Sequence, residues 1–430
     1  MIVTDSEGVR RYAVVSSDSH AGAALHEYKP YLEKRWHEEF DAWADAYVDP
    51  WMGIGEGDRK GGSASSTLET NWNSQLRQQV IEGEGVAAEV LYPNTVPPFY
   101  PSKGALVAPN PKDQADYEHR LAGLRAHNRW LVDYCAMVPG RRVGIVQLFL
   151  NDLDQVLDDV RFAHEQGLGG GILLPGTPPG SGLPPFYDPH WEPLWSLCEE
   201  LDVPLNHHTV PSAAPDYAPH TQTTDDSWAT IGYVELRFWA HRPLWHLIFS
   251  GVFERHPGLK LVLSEQGSAW TVHTVAGLDR MAHGLRRKGT SEHQLGGAGM
   301  AKIPEAPSFY FKRNCYLGAS IMTPKEAELR YEIGVDRLMW GTDFPHSEGV
   351  YPYTLEGLQA TFAGVPEDEV ATMLAGNALG VYRFDEKAVA DAAARFGPSV
   401  EAVDQPLTTF PEDNYSPVFA QEYADVVPSW

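Results

Sequence analysis

Short apolar runs alternate with amphipathic stretches along most of this 430-residue sequence, and this rhythm is the feature that most constrains the fold. Eight of the runs predict buried strands, at residues 12–16, 86–92, 142–149, 170–174, 203–208, 259–265, 314–317 and 337–340. Several stretches between them, such as residues 117–137, 154–166 and 191–201, have apolar residues at helical spacing. Strand followed by helix, repeated, indicates a parallel sheet, and eight repeats predict an α/β fold, a (β/α)8 TIM barrel.

Two segments interrupt the rhythm. Residues 42–67 form an insertion after the first strand, where a barrel carries a loop over its mouth. The insertion fits a lid and a plain surface loop equally well. We therefore assign residues 1–385 to the barrel and residues 386–430 to a C-terminal tail. The late aromatic residues of the tail predict that it packs on the barrel or on a neighbouring subunit.

Composition excludes several classes of partner. The chain has 33 Lys and Arg residues against 58 Asp and Glu residues, a formal net charge of −25 at pH 7. Such a surface repels phosphate backbones and anionic lipid, so neither nucleic acid nor a membrane is expected as a partner. The three Cys residues are far apart, which fits a reducing compartment. With no apolar run of 18 residues and no leader-like start, we expect a cytoplasmic protein.

Ionisable side chains cluster at the ends of four predicted strands. Asp18 and His20 follow the first strand, and side chains two residues apart on a strand point to the same side. His207 and His208 end the fifth strand, Glu265 ends the sixth, and Asp343 follows the eighth.

In a barrel these ends converge on one mouth. Any one of these residues fits a loop or capping role about as well as a ligand role, but the set predicts a metal site. Imidazole and carboxylate donors suit Zn²⁺, with Mn and Fe as further choices.

Several motifs in order along residues 12–384 resemble the amidohydrolase superfamily, in its branch of aminocarboxymuconate semialdehyde decarboxylase-like metal-dependent enzymes. They are Asp18-x-His20, Tyr92-Pro93-Asn94, His127-Asn128-Arg129-Trp130, Pro139-Gly140-Arg141, Pro204-Leu205-x-x-His208, IFSGVFERHPGLKLVLSE, WGTDFPH and Asn377-Ala378. The resemblance implies a distorted barrel and one divalent metal.

Carried over by position, the resemblance implies that the metal is held by Asp18, His20, His208 and Asp343. It also implies that Asp343, Glu265 and His208 are the catalytic residues. Asp18 departs from the superfamily's usual His, and Glu265 stands where many members have His. Strand four reads GGGILLPG and has no Lys to bridge a second metal.

Three functions follow as hypotheses. The first is non-oxidative decarboxylation of an aromatic or unsaturated carboxylic acid, with Asp343 or Glu265 delivering a proton to carbon. The second is hydrolysis of a C–N, ester or C–C bond by metal-bound hydroxide. The third is a non-catalytic barrel that binds a partner. The expected ligand is a small molecule, a carboxylic acid in the first hypothesis, and the resemblance implies a homodimer.

Overall fold

The structure is a computed structural model that describes residues 1–48, 68–101, 111–209 and 227–420. The strands in these ranges are β1 (Ile2–Thr4), β2 (Arg10–Tyr12), β3 (Val15–Ala21), β4 (Ala88–Pro93), β5 (Arg142–Gly144), β6 (Val146–Gln147), β7 (Ile172–Leu173), β8 (Leu205–His208), β9 (Leu261–Ser264), β10 (Cys315–Ser320) and β11 (Leu338–Gly341). All strands from β3 onward pair in parallel with their neighbours.

The helices connect and cover these strands. They are α1 (His37–Ala46), α2 (Ser74–Gly83), α3 (Gln114–Ala136), α4 (Leu153–Glu165), α5 (Glu192–Glu200), α6 (Ser227–Ala240), α7 (Arg242–Phe249), α8 (Val252–Arg255), α9 (Trp270–Arg286), α10 (Ser291–Gly296), α11 (Pro307–Asn314), α12 (Pro324–Glu328), α13 (Arg330–Ile333), α14 (Thr354–Phe362), α15 (Glu367–Ala371), α16 (Asn377–Val381), α17 (Glu386–Phe396) and α18 (Val400–Val403). None of these described helices combines the length and apolar character needed to cross a bilayer.

The parallel strands form the predicted barrel, with one irregularity and one seam. Strand β5 pairs with β4, and strand β6, which begins after Ile145, pairs with β7. Strands β5 and β6 together therefore act as the third barrel strand. At the seam, the backbone N–H of Asp343 donates to the carbonyl of Asp18 (2.9 Å) and that of His20 donates to the carbonyl of Phe344 (2.7 Å). These bonds join the eighth strand to the first, and the α/β barrel prediction is confirmed.

The first barrel strand lies later in the chain than the sequence predicted. Tyr12 belongs to a small antiparallel hairpin, where β2 pairs with β1, and its N–H donates to the carbonyl of Pro398. The barrel strand β3 runs to Ala21, so Asp18 and His20 lie inside it and do not follow it. The prediction was wrong because β3 is polar: its serines are buried, and the Ser17 hydroxyl donates to the carbonyl of Trp340 (2.9 Å).

A capping box begins α12, in the segment Thr323-Pro324-Lys325-Glu326. The Thr323 hydroxyl accepts from the N–H of Glu326 (3.4 Å), and the Glu326 carboxylate accepts from the N–H of Thr323 (2.9 Å). The other Glu326 oxygen accepts from the N–H of Ser268 (2.6 Å). The cap therefore also anchors the loop that follows β9.

The two predicted interruptions have different outcomes. The start of the insertion, up to Ala46, belongs to helix α1, and residues 49–67 lie outside the described residues, so the lid stays a prediction. The tail begins with α17 and α18, whose Val389, Val400 and Val403 are buried in the apolar core. The described part of the tail thus packs on its own barrel, while residues 421–430 lie outside the description.

Candidate metal centre

The structure brings the four predicted metal ligands and Glu265 together at the C-terminal ends of the barrel strands. Asp18 and His20 come from β3, and His208 is the last residue of β8. Glu265 follows β9 and Asp343 follows β11 by two residues. Donor atoms of Asp18, His20, His208 and Glu265 all lie within 4.8 Å of one another, and so do donor atoms of His20, Asp343 and His346.

The separations between donor atoms match those within one coordination sphere. His20 Nε2 lies 3.3 Å from Asp18 Oδ1 and 3.1 Å from Asp343 Oδ1. His208 Nε2 lies 3.7 Å from Asp18 Oδ2 and 2.9 Å from Glu265 Oε2. Ligands about 2.0–2.3 Å from one divalent ion are separated by similar distances.

Several of these buried atoms have no hydrogen-bond partner among the described residues. They are Asp18 Oδ1, His20 Nε2 and both carboxylate oxygens of Asp343, and none of these three residues is more than 3 % exposed. Buried polar atoms are normally satisfied, and a cation satisfies carboxylate oxygens and a bare imidazole nitrogen at once. The residues present therefore fit a bound divalent metal.

Neighbouring groups hold the ligands in orientation. His20 Nδ1 lies 3.3 Å from the carbonyl of Pro93, which directs Nε2 toward the centre. The Ser320 hydroxyl donates to Asp18 Oδ2. His346 stacks on the His20 ring, with 4.0 Å between centroids, and its Nδ1 lies 3.0 Å from Asp343 Oδ1.

The backbone is in an unusual conformation at two of the donors. Glu265 has φ 54° and Asp343 has φ 57°, the left-handed region that non-glycine residues rarely adopt. Hydrogen bonds from the N–H of Glu265 to the carbonyl of Gly318 and from the N–H of Asp343 to the carbonyl of Asp18 hold these conformations. Such strain persists where the surrounding structure over-determines it, commonly at functional sites.

The electrostatics of the centre favour a positive charge at its middle. Burial alone disfavours ionisation of Asp18, but the adjacent imidazoles of His20 and His208 hold its pKa below the usual value. Burial likewise opposes protonation of His208, yet the Glu265 and Asp18 carboxylates raise its pKa to about 9. Without a metal, these carboxylates favour the protonated imidazoles. A divalent metal supplies the same positive charge, so metal binding and imidazole protonation compete here.

Three other residues of the region are His207, His346 and Glu348. His207 is in none of the groups of close donor atoms, and its Nδ1 lies 2.8 Å from the carbonyl of Leu174. His346 contacts both His20 and Asp343. Glu348 was missed, although its carboxylate lies within 4.8 Å of donor atoms of Glu265 and Asp343. The only sequence signal for Glu348 is its nearness to Asp343 in the chain.

A parallel barrel with buried carboxylates and imidazoles at the C-terminal ends of its strands defines the class of metal-dependent barrel enzymes. Residues 84–384 match the family model described as Amidohydrolase. The chain belongs to the amidohydrolase family, as the sequence motifs predicted.

Among curated proteins, the chain is similar to two γ-resorcylate decarboxylases. The one from Rhodococcus jostii (strain RHA1) is 27 % identical over 301 residues, covering 66 % of this chain and 83 % of the relative. The one from Rhizobium sp. (strain MTP-10005) is 27 % identical over 252 residues, covering 56 % and 71 %.

Solved structures share the fold. An amidohydrolase from Mycobacterium avium subsp. paratuberculosis K-10 aligns with a TM-score of 0.61 and 19 % identity over 86 % of this chain and 99 % of the other. A 2,6-dihydroxybenzoate decarboxylase complexed with 2,6-dihydroxybenzoate aligns with a TM-score of 0.55 and 18 % identity over 86 % and 98 %. A 5-carboxyvanillate decarboxylase from Novosphingobium aromaticivorans DSM 12444, complexed with manganese, aligns with a TM-score of 0.57 and 18 % identity over 86 % and 96 %.

Proposed function

We propose that this protein catalyses the metal-dependent, non-oxidative decarboxylation of an aromatic carboxylic acid. The observation that carries the proposal is the convergence of buried, unsatisfied Asp18, His20 and Asp343 atoms on one point at the barrel mouth. The relatives that are γ-resorcylate decarboxylases support the choice of reaction and of an aromatic substrate.

We divide the donor residues into metal ligands and residues that transfer a proton. Asp18, His20, His208 and Asp343 would hold the metal, and the position of Glu265 Oε2 beside His208 Nε2 makes Glu265 a fifth donor. When bound, the metal supplies Lewis acidity toward an oxygen of the substrate. His208 would contribute to catalysis by holding the Glu265 and Asp18 carboxylates in place, because its Nε2 lies 2.9 Å from Glu265 Oε2 and 3.7 Å from Asp18 Oδ2.

Decarboxylation breaks the bond between the ring and the carboxylate carbon, and the electron pair left on the ring carbon takes one proton as CO2 leaves. We assign relay of that proton to the ionised Asp343 carboxylate, which would take it up from the His346 imidazole, whose Nδ1 lies 3.0 Å from Asp343 Oδ1, and pass it to the ring carbon. Glu265 is the alternative carrier, since its side chain is 22 % exposed and faces the same centre. General acid catalysis of this kind typically contributes about 10²–10⁴-fold in rate.

We further propose Mn²⁺ as the physiological metal. The sequence analysis favoured zinc, but the donor set includes three carboxylates beside two imidazoles. Carboxylate oxygens suit Mn²⁺, whereas zinc prefers tetrahedral sites with nitrogen and sulfur ligands. Two solved neighbours are described with bound manganese, which supports this choice. Metal analysis of the purified protein, followed by reconstitution with Mn²⁺ or Zn²⁺, separates the two ions.

The test is to incubate the Mn²⁺-loaded protein with a panel of hydroxylated aromatic acids, including 2,6-dihydroxybenzoate, and to measure CO2 release. We expect CO2 and the ring lacking the carboxylate in equal amounts, and loss of both after chelation. Turnover of amides or lactones without CO2 would identify a hydrolase instead. A protein that binds no divalent metal and ignores chelators would be the non-catalytic barrel.

A further inference from the structure

A small cavity lies beside strand β8, apart from the metal centre. The loop that follows β7, Phe186, His207 of β8 and the junction of α6 with α7 line it. His207 precedes a proposed metal ligand in the chain, but it is in none of the groups of close donor atoms. The cavity has room for roughly one water-sized group. Any molecule that it binds is therefore compact.

The wall of this cavity contains a cation without a counter-charge. Arg242 is partly buried, and no Asp or Glu residue is among the described residues that line the cavity. The guanidinium carbon lies over the Trp239 ring, 4.5 Å from its centroid, and Nη2 lies 3.5 Å from His246 Nε2. Burial lowers the pKa of Arg242, and no carboxylate opposes this effect. A guanidinium taken partly out of water is costly unless an anion balances its charge.

His246 adds a second donor that has no acceptor. Burial, followed by the charge of Arg242, lowers the pKa of His246 to about 4, so the ring is neutral at pH 7. Because a guanidinium can only donate, His246 Nε2 accepts from Arg242, and the proton of the neutral ring is on Nδ1. The side chain is buried, and Nδ1 has no hydrogen-bond partner among the described residues. Two neighbouring donor groups in the cavity wall therefore lack an acceptor.

We propose that this cavity binds a compact monoanion, held by the Arg242 guanidinium and the Nδ1–H group of His246. Chloride and a carboxylate as small as formate share the required chemistry, a single negative charge of small size. A water molecule would satisfy the imidazole N–H but would not balance the guanidinium charge. The formal net charge of −25 repels anions in general, so the attraction has to be local. This site is separate from the metal centre, and the proposal does not depend on the proposed reaction.

Differential scanning calorimetry of the Mn²⁺-loaded full chain tests the proposal. Sodium chloride or sodium formate replaces sodium gluconate at constant ionic strength, because gluconate has the same charge but is too large for the cavity. We expect Tm to rise by about 1–2 °C at about a tenfold excess of anion over Kd, and the rise to saturate. A rise with only one of the two small anions would identify which of them binds. Equal Tm values in all three salts would overturn the proposal without any variant.

Variants then assign the effect to Arg242. In Arg242→Gln, which removes the charge, we expect the anion-dependent rise in Tm to disappear, whereas Arg242→Lys keeps the charge and should retain part of it. Arg161→Gln removes the same charge from an exposed residue of α4 and is the matched control, with a rise of wild-type size. Comparing the rise, and not Tm itself, cancels the packing cost of each substitution. A rise of wild-type size in Arg242→Gln would place the anion elsewhere, for example on the metal, and would overturn the proposal.

Bromide locates the site directly in the wild-type protein. Bromide resembles chloride in charge and size, and its anomalous X-ray scattering identifies it in crystals grown with sodium bromide. We expect an anomalous peak within hydrogen-bond distance of the Arg242 guanidinium and His246 Nδ1. Bromide found only on the outer surface or on the metal would overturn the proposal. This measurement needs no substitution, so it decides the question even where Arg242→Gln fails to fold.

Discussion

In the proposed reaction, Asp343 is the residue on which most of the chemistry depends. Its carboxylate faces His20 at 3.1 Å and His346 at 3.0 Å, its backbone is left-handed, and its N–H is bonded to the first barrel strand. Burial works against its ionisation, but His346 and His20 hold its pKa below the usual value. Its position suits both a metal ligand and a group that exchanges a proton with the substrate.

Replacing Asp343 with Asn should lower kcat for CO2 release by about 100-fold or more, because the amide can neither donate the proton nor balance the charge of the metal. The measurement is steady-state kinetics of CO2 release, with manganese content determined in parallel. Asp336→Asn is the matched control, since Asp336 is exposed and pairs only with Arg337 in the structure described. Activity of D343N within threefold of the wild type would contradict the assigned role.

At the scale of elements, a buried cluster of ion pairs links α2 to β4 and β5 near the candidate metal centre. Arg77 Nη2 lies 2.7 Å from Glu89 Oε2, and Arg142 Nε lies 3.1 Å from Glu89 Oε1, with all three side chains at most 1 % exposed. Arg77 Nη1 also donates to the carbonyl of His20 (2.8 Å). The cluster therefore links three packed elements to the backbone of His20, a proposed metal ligand.

Glu89→Gln should lower the free energy of unfolding by about 3–5 kcal/mol, because it leaves two guanidinium groups buried without a counter-charge. Urea denaturation at pH 8 measures the change. Glu82→Gln is the control: Glu82 pairs with Arg141 at 2.8 Å, but its side chain is 31 % exposed, so the expected cost is below about 1 kcal/mol. Similar costs for the two substitutions would show that burial does not govern the strength of these pairs.

Metal binding should stabilise the whole molecule. Binding to the folded state alone contributes about 3 kcal/mol at a hundredfold excess over Kd, which for a chain of this length is a rise of about 3 °C in Tm. Differential scanning calorimetry with and without Mn²⁺ measures the shift, and we expect Asp18→Asn to reduce it. A shift of the same size in Asp18→Asn would place the stabilising ion elsewhere.

Buried histidines should make the molecule sensitive to acid. Burial lowers the pKa of His127 to about 3, and its Nδ1 lies 2.8 Å from the Tyr28 hydroxyl. The folded-state pKa is below the unfolded value near 6.5, so the stability is present above that pH and is lost as the pH falls toward 3. At pH 5 the loss from His127 is about 2 kcal/mol.

Urea denaturation of the wild type and of His127→Gln at pH 8 and pH 5 tests this effect. Gln cannot take up a proton, so the drop in unfolding free energy between the two pH values should be smaller in the variant by about 2 kcal/mol. Using the difference between the two pH values cancels any packing cost of the substitution itself. An equal drop in the unfolding free energy of the two proteins would mean that burial does not keep the His127 imidazole neutral.

The sequence by itself determined the barrel and indicated the candidate donor residues. Apolar periodicity depends on near neighbours in the chain, so the strands that end at His208 and just before Glu265, and the capping box at Thr323, could be predicted without knowing what they pack against. The parallel arrangement then brings the ends of these strands to one mouth. His208 was chosen over His207 only through the family motif.

Only the tertiary structure decided what depends on contacts between distant parts of the chain. Asp18 and His20 lie within β3 because buried serines bond to the eighth strand, a pairing across more than three hundred residues that periodicity does not encode. His346 and Glu348 reach the metal centre from a loop, where no repeat specifies the direction of a side chain. Which atoms of Asp343 remain unsatisfied among the described residues follows from the packing of all these elements together.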